Sequence, residues 1–280
     1  MLCVVASLIL RRSEQPFAEM FDVRIGNGLR GRVRPVSDGK SLAILGSDPT
    51  RGWPLLCETN GLSRLRHPGR RAQWLTGRLC LQDLVLSVDR LAAVGPRLVR
   101  QEAGATEEIG RPIVVDGQRN QLVEVSVSHC RDYSVAVLSQ SRCSVDIERR
   151  ATISAASAPY LFGIDEHLLA SSVLREADLP DRPTVYWTLL ESLGKLYGRP
   201  SYGRGRFHVI APQSHDPAGT LRFGSDQPAV RIQRRARASI TVFPDHVICT
   251  ATADPRVDPD PWTSSHPTPS GVSHVISHRS

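Results

Sequence analysis

The apolar positions of this chain change their period several times, and each change marks an element. From Arg71 to Val85 they recur at helical spacing, with Trp74, Leu75, Leu79 and Leu81 on one side, which predicts an amphipathic helix. Val123, Val125 and Val127 then alternate with Glu124, Ser126 and Ser128, which predicts a strand buried on one face. The turn His129-Cys130-Arg131-Asp132 separates it from a second apolar run, Tyr133 to Leu138, its expected hairpin partner. Cys143 to Ile147 reads as a third strand. Helical spacing returns over Ile164 to Glu176 and over Pro183 to Tyr197, where Pro183 suits the first turn and Gly198 the C-terminal end. Strands are expected again at Phe207 to Ile210, Val230 to Gln233 and Ser239 to Thr252. Helices set among antiparallel strands predict an α+β fold.

The two ends differ from the middle. Leu2 to Leu10 is apolar but about half the length of a membrane span, and Arg11 and Arg12 follow it rather than precede it. It lacks the basic region and cleavage site of a secretory signal, so residues 1–20 read as an N-terminal extension, with Met20 an alternative start. Residues 253–280 are rich in Pro, Ser and His and cannot bury enough apolar surface to offset chain entropy, so a disordered tail is expected there. Between the ends, residues 21–120 and 121–252 show a rough similarity of layout, which divides the chain into two α+β halves.

With 280 residues and 40% hydrophobic positions, most of the chain is expected to fold. The net charge of +7 favours acidic or phosphorylated partners. Nearly all of it is arginine, since Lys40 and Lys195 are the only lysines, a composition typical of GC-rich bacterial coding. The six cysteines form no CxxC pair, which argues against a zinc ribbon or a disulfide frame and fits a reducing cytoplasm.

Three segments carry candidate chemistry. Asp146 and Glu148 stand two apart on an expected strand, so both side chains leave the same face. They read as a solvated pair, as partners of the adjacent Arg149 and Arg150, or as ligands of a hard cation such as Mg²⁺. Glu191 and Lys195 stand one helical turn apart, which reads as a surface ion pair or as a third ligand beside a phosphate-binding lysine. Trp187 lies on that face and would exclude water. Ser128-His129 closes a strand. No spaced acidic partner makes it a hydrolytic triad, so it reads as a structural histidine or as a phosphate contact.

Taken together, Gly110-Arg111-Pro112, Val125-Ser126-Val127-Ser128-His129, Val145-Asp146-Ile147-Glu148 and Trp187-x-x-x-Glu191-Ser192-x-x-Lys195 resemble the 4′-phosphopantetheinyl transferase superfamily in order and spacing. Arg70-Arg71-Ala72-Gln73-Trp74-Leu75-Thr76-Gly77-Arg78 is similar to the arginine-bearing helix of its larger, monomeric members, so the likeness spans about residues 58 to 210. It implies a pseudo-dimer of two α+β halves with the active site between them, and transfer of phosphopantetheine from coenzyme A to a carrier-protein serine. It further implies Mg²⁺ held by Asp146, Glu148 and Glu191, with Glu191 as base and Lys195 on the leaving phosphate. Arg71, or Arg78 in its stead, would hold the adenosine 3′-phosphate end together with Arg111, Ser128 and His129. The implied partner is an acidic carrier protein of a fatty-acid, polyketide or peptide synthase, served by a monomer without nucleic acid or membrane.

Three departures stand out. Leu190 replaces the usual lysine before the helix glutamate, Arg111 replaces the lysine of Gly-Lys-Pro, and the glycine-rich run after Lys195 is longer. Two other readings use the same residues. One is a Mg²⁺-dependent nuclease, although the 5% aromatic content offers no basic–aromatic stripe. The other is a catalytically weak relative that binds carriers.

Overall fold

The computed structural model describes residues 2–14, 22–25, 29–36, 65–100, 112–150, 152–162, 181–198, 207–210, 220–225 and 233–253. It is a mixed α+β fold of two six-stranded sheets. The first takes β2 (Asp22–Ile25), β3 (Leu29–Pro35), β4 (Arg97–Arg100), β5 (Pro112–Val115), β6 (Gln121–His129) and β7 (Tyr133–Ser139), in the order β2-β3-β7-β6-β5-β4. The second takes β1 (Leu2–Arg12), β8 (Cys143–Arg149), β9 (His208–Ile210), β10 (Thr220–Ser225), β11 (Gln233–Val242) and β12 (His246–Ala253), in the order β8-β12-β11-β1-β10-β9. Among the described residues no helix is long and apolar enough to cross a membrane.

Among the described residues, each sheet carries one long helix. Helix α1 (Pro68–Leu86) lies on β7, β3 and β6 over a core of Cys80, Leu81, Leu84, Val85, Val123 and Val125. Gly77 permits this approach, because a Cβ there would meet Val127 Cγ1 at 2.8 Å. Two short helices follow, α2 (Asp89–Ala92) and α3 (Ala158–Phe162). Helix α4 (Arg182–Tyr197) lies on β12 and β8 over Leu189, Leu193, Ile240 and Val247. It begins with Pro183 in its first turn and ends at Gly198, whose φ of 64° is left-handed, as the cap residues predict.

A third core, formed by Leu29, Val33, Val135, Val137, Val145, Ile147 and Ile248, joins the two sheets face to face. The layers therefore run helix, sheet, sheet, helix. This explains a departure from the sequence reading of β6. Its valines face α1 as expected, but Ser126 and Ser128 are buried rather than solvent-facing, because the polar side of the strand meets β8.

The N-terminal run, expected to be an extension, is instead strand β1, parallel to β11 from Cys3↔Gln233 to Arg12↔Val242 and antiparallel to β10. A short, continuous apolar run is what an interior strand requires, so its pattern was that of a sheet element. Strands β6 and β7 belong to the first sheet, and β8 to the second, which also takes β1 from the start of the chain. The single strand expected over Ser239 to Thr252 is a hairpin, broken at Pro244-Asp245 and closed by the Phe243 N–H bond to His246 O at 2.8 Å. The helix expected over Ile164 to Glu176, most of the strand at Val230 to Gln233, Arg111, and residues 254–280 of the expected tail lie outside the described residues.

Candidate functional site

The site grows from the free edge of β8. Among the described residues that strand has a neighbour in its sheet on one side only, β12. Its outer backbone groups are met by side chains instead: the Val145 N–H donates to Ser126 Oγ at 3.2 Å, and the Val145 carbonyl accepts from Lys195 Nζ at 3.2 Å. The serines that alternation had set toward solvent thus seal a strand edge.

Three segments meet at Asp146. Ser128, at the end of β6, donates its hydroxyl proton to Asp146 Oδ1 at 2.8 Å. Lys195, in the last turn of α4, donates to the same Oδ1 at 2.6 Å and to Ser128 Oγ at 2.9 Å. With Val145 O, these contacts occupy all three ammonium protons. Asp146 is buried at 4% exposure and Ser128 at 6%. Asp146 Oδ2, also buried, has no hydrogen-bond partner. An orphaned carboxylate oxygen costs about 1–3 kcal/mol or more, so stability alone does not account for it. Beneath the site, the Ser144 and Ser192 hydroxyls share a 3.0 Å hydrogen bond that ties β8 to α4.

Glu148 lies two residues along β8 and is half-buried. Burial raises its pKa to about 7, helped by the charges of Asp146 and Glu191 and opposed by a hydrogen bond from the Trp187 indole and by Lys195. Glu148 therefore feels both of the other carboxylates. Trp187 does more than wall the site: it packs beside Phe162 and anchors Glu148. The neighbouring arginines do not neutralise the pair. Arg149 meets Asp132 at 3.3 Å, and Arg150 Nε meets buried Asp181 at 2.9 Å, fastening the end of β8 to the start of α4.

Set against a Mg²⁺ ion, the donor set fits in kind. It is all oxygen, it carries excess negative charge, and it includes the orphaned Oδ2. As they stand, no three His, Cys, Asp or Glu side chains among the described residues close on a single metal position, and Lys195 already holds Asp146 Oδ1.

His129 sits at the exposed end of β6, and its pKa is lowered by desolvation first and then by Lys195, with a further push from Arg70. Arg70, not assigned a role from sequence, is the helix arginine whose charge His129 feels, and both Arg70 and Arg71 are exposed. Arg78 is buried and stacked over Trp74 at 5.0 Å. Leu190 is buried at 1% in the core on the inner face of α4. Burial raises the Cys130 thiol, which removes it as a nucleophile beside His129.

No protein-family model matches the chain, and no curated protein matches it.

Proposed function

We propose that the chain is a 4′-phosphopantetheinyl transferase of the larger, pseudo-dimeric type. The single observation that carries this reading is the meeting of Ser128, Asp146 and Lys195, from three distant segments, at a buried carboxylate with an unpartnered oxygen. The two sheets, each with one long helix, suit a pseudo-dimer with its active site at their junction.

Asp146, Glu148 and Glu191 would hold Mg²⁺, which when bound offsets charge on a pyrophosphate. Glu191 takes the proton of the carrier serine, directly or through water, as its oxygen attacks the β-phosphorus of coenzyme A. The bond from that phosphorus to the bridging oxygen breaks, and 3′,5′-ADP leaves with the electron pair. Lys195 meets the charge on the leaving phosphate. His129, Arg111 and either Arg70 or Arg71 would contact the 3′-phosphate end of the nucleotide. The arginine-rich surface speeds encounter with an acidic carrier. The setting is the cytoplasm of a bacterium making secondary metabolites.

Chromatography of a reaction containing the protein, coenzyme A, Mg²⁺ and apo carriers tests this. Release of 3′,5′-ADP that requires both carrier and Mg²⁺ supports the reading. Carrier binding without release points to a weak relative, and Mg²⁺-dependent cleavage of nucleic acid instead points to a nuclease.

A further inference from the structure

We propose that Ser128 is a positioning residue that latches Lys195 onto Asp146, so that the ammonium guards the carboxylate until a divalent cation draws it away. The inference rests on the cation reading above, and it reassigns Ser128 from the nucleotide end to the metal end of the site. Ser128 Oγ donates to Asp146 Oδ1 at 2.8 Å and accepts from Lys195 Nζ at 2.9 Å, so one buried hydroxyl fixes both members of the ion pair. Lys195 Nζ lies 2.6 Å from that same Oδ1, while Oδ2 is buried without a partner. A carboxylate meant to hold its lysine permanently gains from partners on both oxygens. Here one oxygen is doubly engaged and the other is left over, which is the state of a ligand waiting for a second cation. The latch also explains how the Asp146 carboxylate persists beside Glu148 before any metal arrives. The lysine supplies the positive charge in the interval, then moves with a side chain long enough to reach a neighbouring phosphate.

The composition makes the latch observable. Lys40 and Lys195 are the only lysines, so protein labelled with ¹⁵N-lysine gives two ammonium signals, assigned with Lys40→Arg. In the wild type, the Lys195 signal exchanges slowly with water, and adding Mg²⁺ alone accelerates that exchange as the ammonium is released. Ser128→Ala, which changes no charge, speeds the exchange without Mg²⁺ and lowers the half-saturating Mg²⁺ concentration by about tenfold, the effect of removing one hydrogen bond to a charged group. Lys195→Gln lowers it at least as far, and the double variant shows no further change, because Ser128 acts through Lys195. Half-saturation within twofold of wild type in Ser128→Ala, or full additivity in the double variant, overturns the latch. A Lys195 signal that does not respond while Mg²⁺ binds overturns the latch alone. No Mg²⁺ binding by any variant overturns the latch and the cation reading together.

Discussion

Lys195 reaches from α4 across to Asp146 on β8, with Nζ 2.6 Å from Oδ1, instead of turning back along its own helix to Glu191. Its remaining donors go to Ser128 and to the Val145 carbonyl. A surface pair one turn apart on a helix contributes a few tenths of a kcal/mol. A lysine holding a buried carboxylate contributes more, since removing it strands that charge. Lys195→Ala is therefore expected to lower the unfolding free energy by about 1–3 kcal/mol. It should also slow single-turnover transfer by ~10²-fold or more, with a smaller change in the Michaelis constant for coenzyme A. Denaturant titration and rapid-quench kinetics measure the two effects. A stability change within ±0.5 kcal/mol would return the residue to the surface class.

Glu148 predicts a pH dependence whose sign differs with and without metal. Its pKa rises from 4.5 in the open chain to about 7 in the fold, so between these values the folded protein binds the extra proton. Stability without Mg²⁺ then falls as pH rises through that window. Mg²⁺ requires the ionised carboxylate, so its stabilising shift in melting temperature grows over the same range. Glu148→Gln should flatten both trends. Melting curves at successive pH values with and without Mg²⁺ decide it, and a Mg²⁺ shift independent of pH would count against the metal assignment.

The proposed nucleotide end of the site offers a choice between adjacent arginines. Arg70 and Arg71 are both exposed, but only the charge of Arg70 reaches His129, so Arg70→Ala and His129→Ala are expected to weaken coenzyme A far more than 3′-dephospho-coenzyme A. Arg71→Ala should do so less. Calorimetry with the two nucleotides measures the difference, and equal losses for both would move the 3′-phosphate elsewhere.

Gly77 tests the packing that sets the end of β6. Its missing Cβ would lie 2.8 Å from Val127 Cγ1, next to Ser128, so Gly77→Ala should cost about 1–3 kcal/mol through overpacking. The ordinary gain of alanine over glycine in a helix would otherwise make it stabilising. Denaturation that shows a stabilised variant would mean the helix lies further from the strand.

Local chemistry was legible wherever the answer is local. Pro183 and Gly198 bound α4 because caps depend on their own backbone, and the hairpin of β6 and β7 follows from two apolar runs around one turn. What the sequence hid depends on distant partners. Period-two alternation showed that Ser126 and Ser128 share a face, but not that this face meets another sheet's edge. The run at 2–12 had the pattern of an interior strand, yet its neighbours β10 and β11 lie at the far end of the chain. Helical spacing paired Lys195 with Glu191, while its long side chain crosses to Asp146. Three motif segments could be named from sequence, but the hydrogen bonds joining them could not.

Intact-mass analysis of apo carrier proteins, incubated with the protein, coenzyme A and Mg²⁺, tests the central claim most directly. A gain of one phosphopantetheine on a single serine is expected, lost when Mg²⁺ is chelated and lost with folded Asp146→Asn, which removes the charge at the centre of the site. No gain on any carrier, or an unchanged gain with Asp146→Asn, would contradict it.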